Sequence, residues 1–489
     1  MTLAQKRALI KRRKQKRSRR GVALIMVLGA ITVLTVFLTE LQEETSSELA
    51  SALADRDALR AEYYARSAIN LSRLLIAIEP EIRKPLQMFG VRIPQIPVWE
   101  FTDMVLGTFN DQSGAQAFNG MVNADPTTAK NMGLTGGGRF ELKIIDEDSK
   151  ININNASRDL ISIDRLATQI LGLVGQPSYN PMFEGRDADN QFTDRQTICG
   201  AIVDWADEDE NLYPCDPKAT GPSAGGAEDN FYQMIGLGYR RKNAPYDSLE
   251  ELRLVRGIGD DFWATFVDPD PSDPHKRTMT VWGQAGNKIN VNTADALTQL
   301  ALICSDLKAA TDFCSDPTQV SAFIMVMSMV KSFGAGIPIY GADGDFVKTM
   351  QGQGLLGPIL TSMGVKPITF TNAGEITKQV TLKSKVFSIY ATGIVPGNRR
   401  TTKVTIHAVV DFRAATALGT AFGTMGGAGS SVGFSQIPQA GNTAANTTAQ
   451  PQGGANTRNN QDPSQMTPDQ LAQVLATNPA GTVIYWRVE

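Results

Sequence analysis

The sequence predicts an α+β protein: a long N-terminal helix, a small sheet gathered from distant strands, and a large, mostly helical segment between those strands. Three observations carry this. Residues 41–79 contain neither Pro nor Gly and are rich in Ala, Leu, Glu and Arg, a composition that sustains helix. Alternating apolar and polar runs occur at 139–146, 385–412 and 482–489, the pattern of half-buried strands. Between the first two runs, helical signals dominate and a short motif repeats.

Bulk composition bounds the function. At 489 residues the chain is too long for one small core. Residues 1–21 hold ten of the 47 Lys and Arg and no acidic residue; the remainder has 37 basic against 50 acidic side chains, a formal charge of −13. An acidic body repels phosphate and disfavours a nucleic-acid partner. Two histidines, His275 and His407, stand far apart in unlike contexts, so histidine-based catalysis has little support. The four cysteines fall into two local pairs, Cys199 with Cys215 and Cys304 with Cys314. An even count at short spacing suits disulfides in an oxidising compartment, and the absence of CxxC argues against zinc.

The first element is the helix. Val22–Leu38 is an apolar run broken only by Gly29, Thr32 and Thr35. As helix it rises about 26 Å, slightly short of the usual span of a bilayer, and the basic flank places its N-terminal side in the cytoplasm. The residues after it, Thr39-Glu40-Leu41-Gln42, offer no small-residue cleavage site. Helix continues with Tyr64, Ala68, Leu71, Leu75 and Ile78 on one face, until Pro80, the first strong breaker. An ordinary signal anchor would share the first half of this pattern.

The remaining elements follow in order. "RFELKIID" (139–146) reads as a strand with Phe140, Leu142 and Ile144 on one face. Lys150-Ile151-Asn152-Ile153-Asn154-Asn155-Ala156 is echoed 138 residues later by Lys288-Ile289-Asn290-Val291-Asn292-Thr293-Ala294. Each copy reads as a short strand feeding a helix, with Asn or Thr placed to cap it, so two related helical lobes are expected. In "YDSLEELRLVRGIGDDFWATFVD" (246–268), Ser248 and Glu251 form a capping-box pattern and Gly257-Ile258-Gly259 a tight turn. Such helix-hairpin-helix turns can bind a DNA backbone, but Asp260-Asp261 follow directly, and glycines that merely let two helices approach are the simpler reading. "KVFSIYATGIVPGNRRTTKVTIHAVVDF" (385–412) is a β-hairpin. Residues 414–480, dominated by Gly, Ala, Ser, Asn, Gln and Thr, read as a linker, and "TVIYWRVE" returns as a strand to the hairpin's sheet.

One constellation could carry chemistry. Asp204, Asp207 and Asp209 fall within six residues, and Glu228 and Asp229 return shortly after. Carboxylates without His or free thiolate select a hard cation, and calcium takes six to eight oxygens in flexible geometry. The spacing is not that of an EF-hand, and a solvated acidic turn is the plain alternative. Paired carboxylates would also serve a membrane-anchored periplasmic hydrolase such as a glycosidase.

Taken together, "RRGVALI", "DWADEDE" followed by "GGAED", "SLEELRLVRGIG", "INVNTA" and the terminal "YWRVE" resemble, in order, the minor pseudopilin K family of type II secretion systems. The resemblance implies a pilin-like fold, a long helix on a small antiparallel sheet, carrying an inserted helical domain of two SAM-like or helix-hairpin-helix lobes. It divides the chain into a leader (1–21) cut by a prepilin peptidase between Gly21 and Val22, a transmembrane part (22–39), helix and first strands (40–150), a first lobe (151–285), a second lobe (286–380), a β-hairpin (381–413), the linker (414–480) and the last strand (481–489). Most pilin-like chains carry Glu at the fifth mature position, where it neutralises a neighbour's N-terminal amine. Here that position is Met26, and a tip subunit lacking such a neighbour would gain only a desolvation cost from a carboxylate. The resemblance also implies calcium on Asp204, Asp207, Asp209, Glu228 and Asp229, and no reaction. Implied too are minor pseudopilins I and J and other pseudopilins as partners, a single pass through the bacterial inner membrane, a periplasmic body and no nucleic acid. The main alternative is a helix-hairpin-helix competence or type IV pilus component that binds nucleic acid.

Overall fold

The computed structural model describes residues 3–87, 94–102, 138–186, 192–216, 230–334, 337–397, 400–415 and 480–489. Most of the 414–480 linker, and Glu228 and Asp229, lie outside the described residues.

Helix α1 runs from Leu3 to Gln87, 85 residues, longer at both ends than the sequence predicts. It passes through the basic N-terminal stretch, and it does not stop at Pro80. A proline costs a helix one N–H and a crowded turn, and here Glu79 holds the following turn in place. Its carboxylate lies 3.2 Å from Arg83 Nε and accepts the Ile96 N–H at 2.9 Å. Within Val22–Pro80 the most apolar window has mean hydropathy 2.6 and is wholly exposed, compatible by length and composition with a single membrane anchor.

From Ala61 onward α1 lies on a four-stranded antiparallel sheet of order β1-β6-β7-β8. Its strands are β1 (Arg139–Asp146), β6 (Val386–Pro396), β7 (Thr401–Asp411) and β8 (Thr482–Val488). The contact face of α1 is Ala61, Ala65, Ala68, Ile69 and Ile76, with Leu71 and Leu75 at its flank. That centre is smaller than the predicted stripe, for a steric reason. A Cβ at Gly393 of β6 would sit 1.8 Å from the Ala61 carbonyl oxygen, so backbone meets backbone and only alanines fit between. Phe140, Leu142, Phe387, Ile389, Ile406 and Val410 fill the sheet side of this core.

Between β1 and β6 the chain builds two further cores. The first is organised around α2 (Leu160–Val174) and α3 (Arg195–Asp204), the second around α4 (Ala296–Cys304) and α5 (Pro317–Gly334). The echoed motifs do the same work in each. β2 (Ile151–Asn152) pairs in parallel with β3 (Met279–Thr280), and β4 (Ile289–Asn290) with β5 (Val380–Thr381). Asn152 and Asn290 each accept the N–H two residues on, at 3.0 and 3.1 Å. Asn154 then clamps Tyr246, accepting its N–H at 2.7 Å and donating to its carbonyl at 3.0 Å, and Asn292 does the same to Tyr340 at 2.8 and 3.1 Å. In the first copy Asn152 thereby caps the 3-10 helix Ile153–Ser157, as the sequence suggests, while the α-helices that follow the two turns are capped by Asp159 and Asp295. The helices α2 and α4 touch closely: a Cβ on Gly172 would lie 2.2 Å from the Ala301 carbonyl oxygen.

Both crossings between sheet and insertion are tied by buried charge that the sequence did not flag. Asp146 accepts hydroxyl hydrogens from Thr293 and Ser384. Asp148 accepts N–H groups of Gln284 at 2.9 Å, Lys385 at 2.6 Å and Val386 at 3.2 Å. Burial pushes both carboxyls up, Asp146 to about 6 and Asp148 to about 7. Lys150 donates to the carbonyls of Pro274, His275 and Arg277, and burial lowers it to about 8.

Candidate functional site

The acidic run begins on the last turn of α3. Asp194 caps that helix by accepting the Thr197 N–H at 2.8 Å, and Asp204 ends it. Asp204 and Asp207 are buried and Asp209 is exposed. One oxygen of Asp204 accepts the Tyr213 N–H at 2.8 Å, while Asp209 accepts the Asn211 N–H at 2.7 Å. Among the described residues Oδ1 of Asp207 accepts no hydrogen bond, and Arg241 Nη1 lies 4.0 Å from it. The electrostatic result follows. Burial, only partly offset by the Tyr213 N–H and aggravated by Asp207, lifts the Asp204 carboxyl to about 8; burial and the Asp209 charge lift Asp207 to about 7.

The surroundings are cross-linked. Cys199 is disulfide-bonded to Cys215, tying α3 to the loop that follows the acidic run, and Cys304 to Cys314 in the second core. Trp205 stacks on Tyr246, whose hydroxyl donates to the Ile202 carbonyl at 2.8 Å. Because Asn154 holds the Tyr246 backbone, the first echo motif positions one wall of the site. A cleft of about 300 Å³ opens here, lined by Asp204, Trp205, Tyr213, Tyr232, Arg241 and Arg256. Sequence reasoning missed Arg241 and Tyr246; nothing local to either marks it as a neighbour of the acidic run.

Two buried, under-satisfied carboxylates fit a divalent cation, whose charge would return both to the ionised form. Among the described residues, however, no three His, Cys, Asp or Glu side chains gather closely enough to hold one. Any further ligand from Glu228 or Asp229 lies outside those residues.

The glycine turn differs from its expected form. Leu249–Leu254 is a 3-10 helix, and the Ser248 side chain makes no capping bond. Glu251 is instead held by Lys242 at 3.1 Å and by the Asp247 N–H at 2.9 Å, which leaves nothing for a capping box. Gly257 is required by its φ of +78° and by Ile198 and Thr193, each 2.7 Å from where a Cβ would stand. The nearby cations have partners within the chain: at the surface Arg253 bonds Asp260 at 2.6 Å and lies over Trp263, and Arg256 lies over Phe231. Gly21 and Val22 fall within α1, and the Met26 side chain is exposed.

Residues 149–266, the stretch that contains the first echo, α2, α3, the acidic run and the glycine turn, match the family of the type II secretion system (T2SS) protein K. No curated protein matches the chain. Among solved structures, the chain is similar to one from the crystal structure of the GspK-GspI-GspJ complex of the enterotoxigenic Escherichia coli type 2 secretion system. The identity is 14%, covering 56% of this chain and 75% of that one, with a TM-score of 0.34. The match to the type II secretion system protein K family covers residues 149–266 of the 489 in the chain.

Proposed function

We propose that the protein is the minor pseudopilin at the tip of a type II secretion pseudopilus, with no reaction of its own. One observation carries this reading: the stretch matched to protein K forms the start of an insertion between β1 and β6 of a helix-on-sheet unit whose helix projects an exposed apolar segment. In that reading the helix-on-sheet unit is pilin-like, and the insertion, two cores built on the same Asn turn, is a pair of SAM-like lobes. A prepilin peptidase removes residues 1–21 between Gly21 and Val22, and α1 from Val22 stores the subunit in the inner membrane with its body in the periplasm. Met26 leaves the fifth mature position without charge, which suits a subunit with no predecessor in the filament. Minor pseudopilins I and J are the partners that lie below it, and the complex initiates and caps the filament to support export of folded proteins.

Calcium belongs to the same proposal. Asp204 and Asp207 supply buried oxygens, with Asp209, Glu228 and Asp229 completing the set, and the ion would neutralise carboxylates that the fold leaves short of donors. The deciding experiment is mass spectrometry of the mature N-terminus together with co-purification of minor pseudopilins I and J. Val22 as first residue and a stable three-protein complex are expected. Another N-terminus removes the pilin-like reading. The nucleic-acid alternative gains nothing from the glycine turn, whose arginines already pair or stack within the fold.

A further inference from the structure

The two buried aspartates at the crossing from sheet to insertion stand in opposite hydrogen-bonding company. Oδ1 of Asp148 accepts the Gln284 N–H at 2.9 Å. Its Oδ2 accepts the Gln284 side-chain amide at 2.7 Å and the N–H groups of Lys385 and Val386 at 2.6 and 3.2 Å. All four partners are N–H donors, which cannot turn round and accept. Asp146 has one partner of that kind, the Asp148 N–H, at 2.9 Å from Oδ1. Its Oδ2 meets two hydroxyls instead, those of Thr293 and Ser384. A hydroxyl donates or accepts by rotating.

The groups around Asp146 are arranged for that reversal. Thr293 Oγ1 lies 3.4 Å from the Asn290 carbonyl, so its hydrogen has a second acceptor. Ser384 Oγ accepts the Asn290 side-chain amide at 2.6 Å and can keep donating to Asp146. A hydrogen on Oδ2 would therefore donate to Thr293 while Thr293 donates to Asn290, and every group keeps a partner with no heavy atom displaced. A hydrogen on Asp148 would face an N–H. We infer that Asp146 is a proton-binding site, holding a proton on Oδ2 against the Thr293 hydroxyl, while Asp148 stays ionised against its four N–H donors. The proton sits where three parts of the chain meet: the end of β1, the second echo motif through Thr293, and the approach to β6 through Ser384.

The charges facing the pair come from several elements. Glu147 and Lys150 share its segment, Lys331 approaches from α5 and Arg413 from beyond β7, while Arg277 and Asp295 face Lys150. The Lys150 ammonium is bonded to three carbonyls and that of Lys331 to the Thr293 carbonyl at 2.8 Å. Burial raises the Asp146 carboxyl to about 6, and the Glu147 charge adds to the rise. Burial also raises Asp148, and there the Asp146 charge adds to it. A proton on Asp146 removes that addition, and the four donors then favour the ionised form. The folded value of Asp146 lies above its ordinary 3.8. The stability it confers is therefore complete below about pH 4 and is lost as pH rises through about 6.

The test compares the full chain in detergent with its Asp146→Asn and Asp148→Asn variants, by melting temperature between about pH 4.5 and 8. Asparagine at 146 brings its own donor to the hydroxyls and mimics the protonated acid. Asp146→Asn should melt within about 2 °C of the wild type at the acid end and gain on it as pH rises through about 6. Asp148→Asn sets an amide NH2 against N–H donors and should melt at least about 4 °C below the wild type throughout, or fail to fold. Infrared difference spectra at about pH 5 give a second reading. Wild type minus Asp146→Asn should contain a protonated-carboxyl band. Asp148→Asn tolerated while Asp146→Asn is destabilised or unfolded would put the proton on Asp148 and overturn the inference. So would an Asp146→Asn difference curve that stays flat with pH, or the absence of that infrared band.

Discussion

Asp204 and Asp306 make an instructive pair. Each is a buried aspartate that closes or follows a cysteine-bearing helix, one in each half of the insertion. Asp306 accepts four backbone N–H groups, from Lys308 at 3.0 Å, Ala309 at 3.2 Å, Thr371 at 2.9 Å and Asn372 at 3.0 Å. Burial pushes its carboxyl up, yet those donors outweigh it and hold the group below its ordinary value of 3.8. Asp204 receives one such donor and Asp207 Oδ1 none, so the same burial leaves them raised. Burial alone therefore does not set a carboxylate's state; the number of donors aimed at it does. Asp306 is completed by backbone donors from its own half of the insertion, whereas Asp204 and Asp207 are left short of them.

The comparison can be broken in four ways. The largest expected effect is that of Asp306→Ala, which strands four buried N–H groups and should cost about 3–5 kcal/mol in denaturant unfolding. A loss under about 1 kcal/mol would mean that the donors find other partners. Next, calcium at about a hundred times its dissociation constant should stabilise the wild type by about 2.7 kcal/mol. Asp204→Asn with Asp207→Asn should abolish that gain, while a chain carrying Asp306→Asn keeps it; a calcium response surviving the double change would place the ion elsewhere.

A third, smaller effect is a pH dependence. Because the folded value of Asp306 lies below its unfolded value, its contribution is present above about pH 4 and is lost as pH falls through the folded value. Asp306→Asn should flatten the stability curve on the acid side only, read from melting temperatures between pH 2 and 6. The smallest effect is the most pointed. Ser248→Ala should change stability by less than about 0.5 kcal/mol, since no capping bond exists to lose. A loss of 1 kcal/mol or more would restore the capping box that the sequence suggests.

Local pattern made the long helix, the strands and the echoed turn legible, because each depends on residues within one element. The 4-3 spacing on α1 and the alternation in 139–146 are of this kind. What escaped depends on distant partners. The capping box failed because Lys242, outside the motif, takes Glu251. Pro80 failed as a stop because Arg83 and Ile96 both hold Glu79. The density of "DWADEDE" drew attention to the first carboxylates, while Asp306, alone in its segment, gave no sign of donors that arrive from residues 371 and 372. The Asp146–Asp148–Lys150 crossing was invisible for the same reason: its partners come from around residues 274–293 and 384–386.

The close fit of Gly393 beneath Ala61 has a mechanical consequence. The sheet first grips α1 there, which leaves about 60 Å of free rod between that grip and Val22. A pull or push along the rod passes into β6 and β7, the two inner strands, where each is bonded on both sides and the load is shared in shear. Had the helix rested on β8, the same force would peel an edge strand away one bond at a time. The alanine row on α1 thus sets where a body on a long stalk takes up strain, and it does so at the strongest part of the sheet.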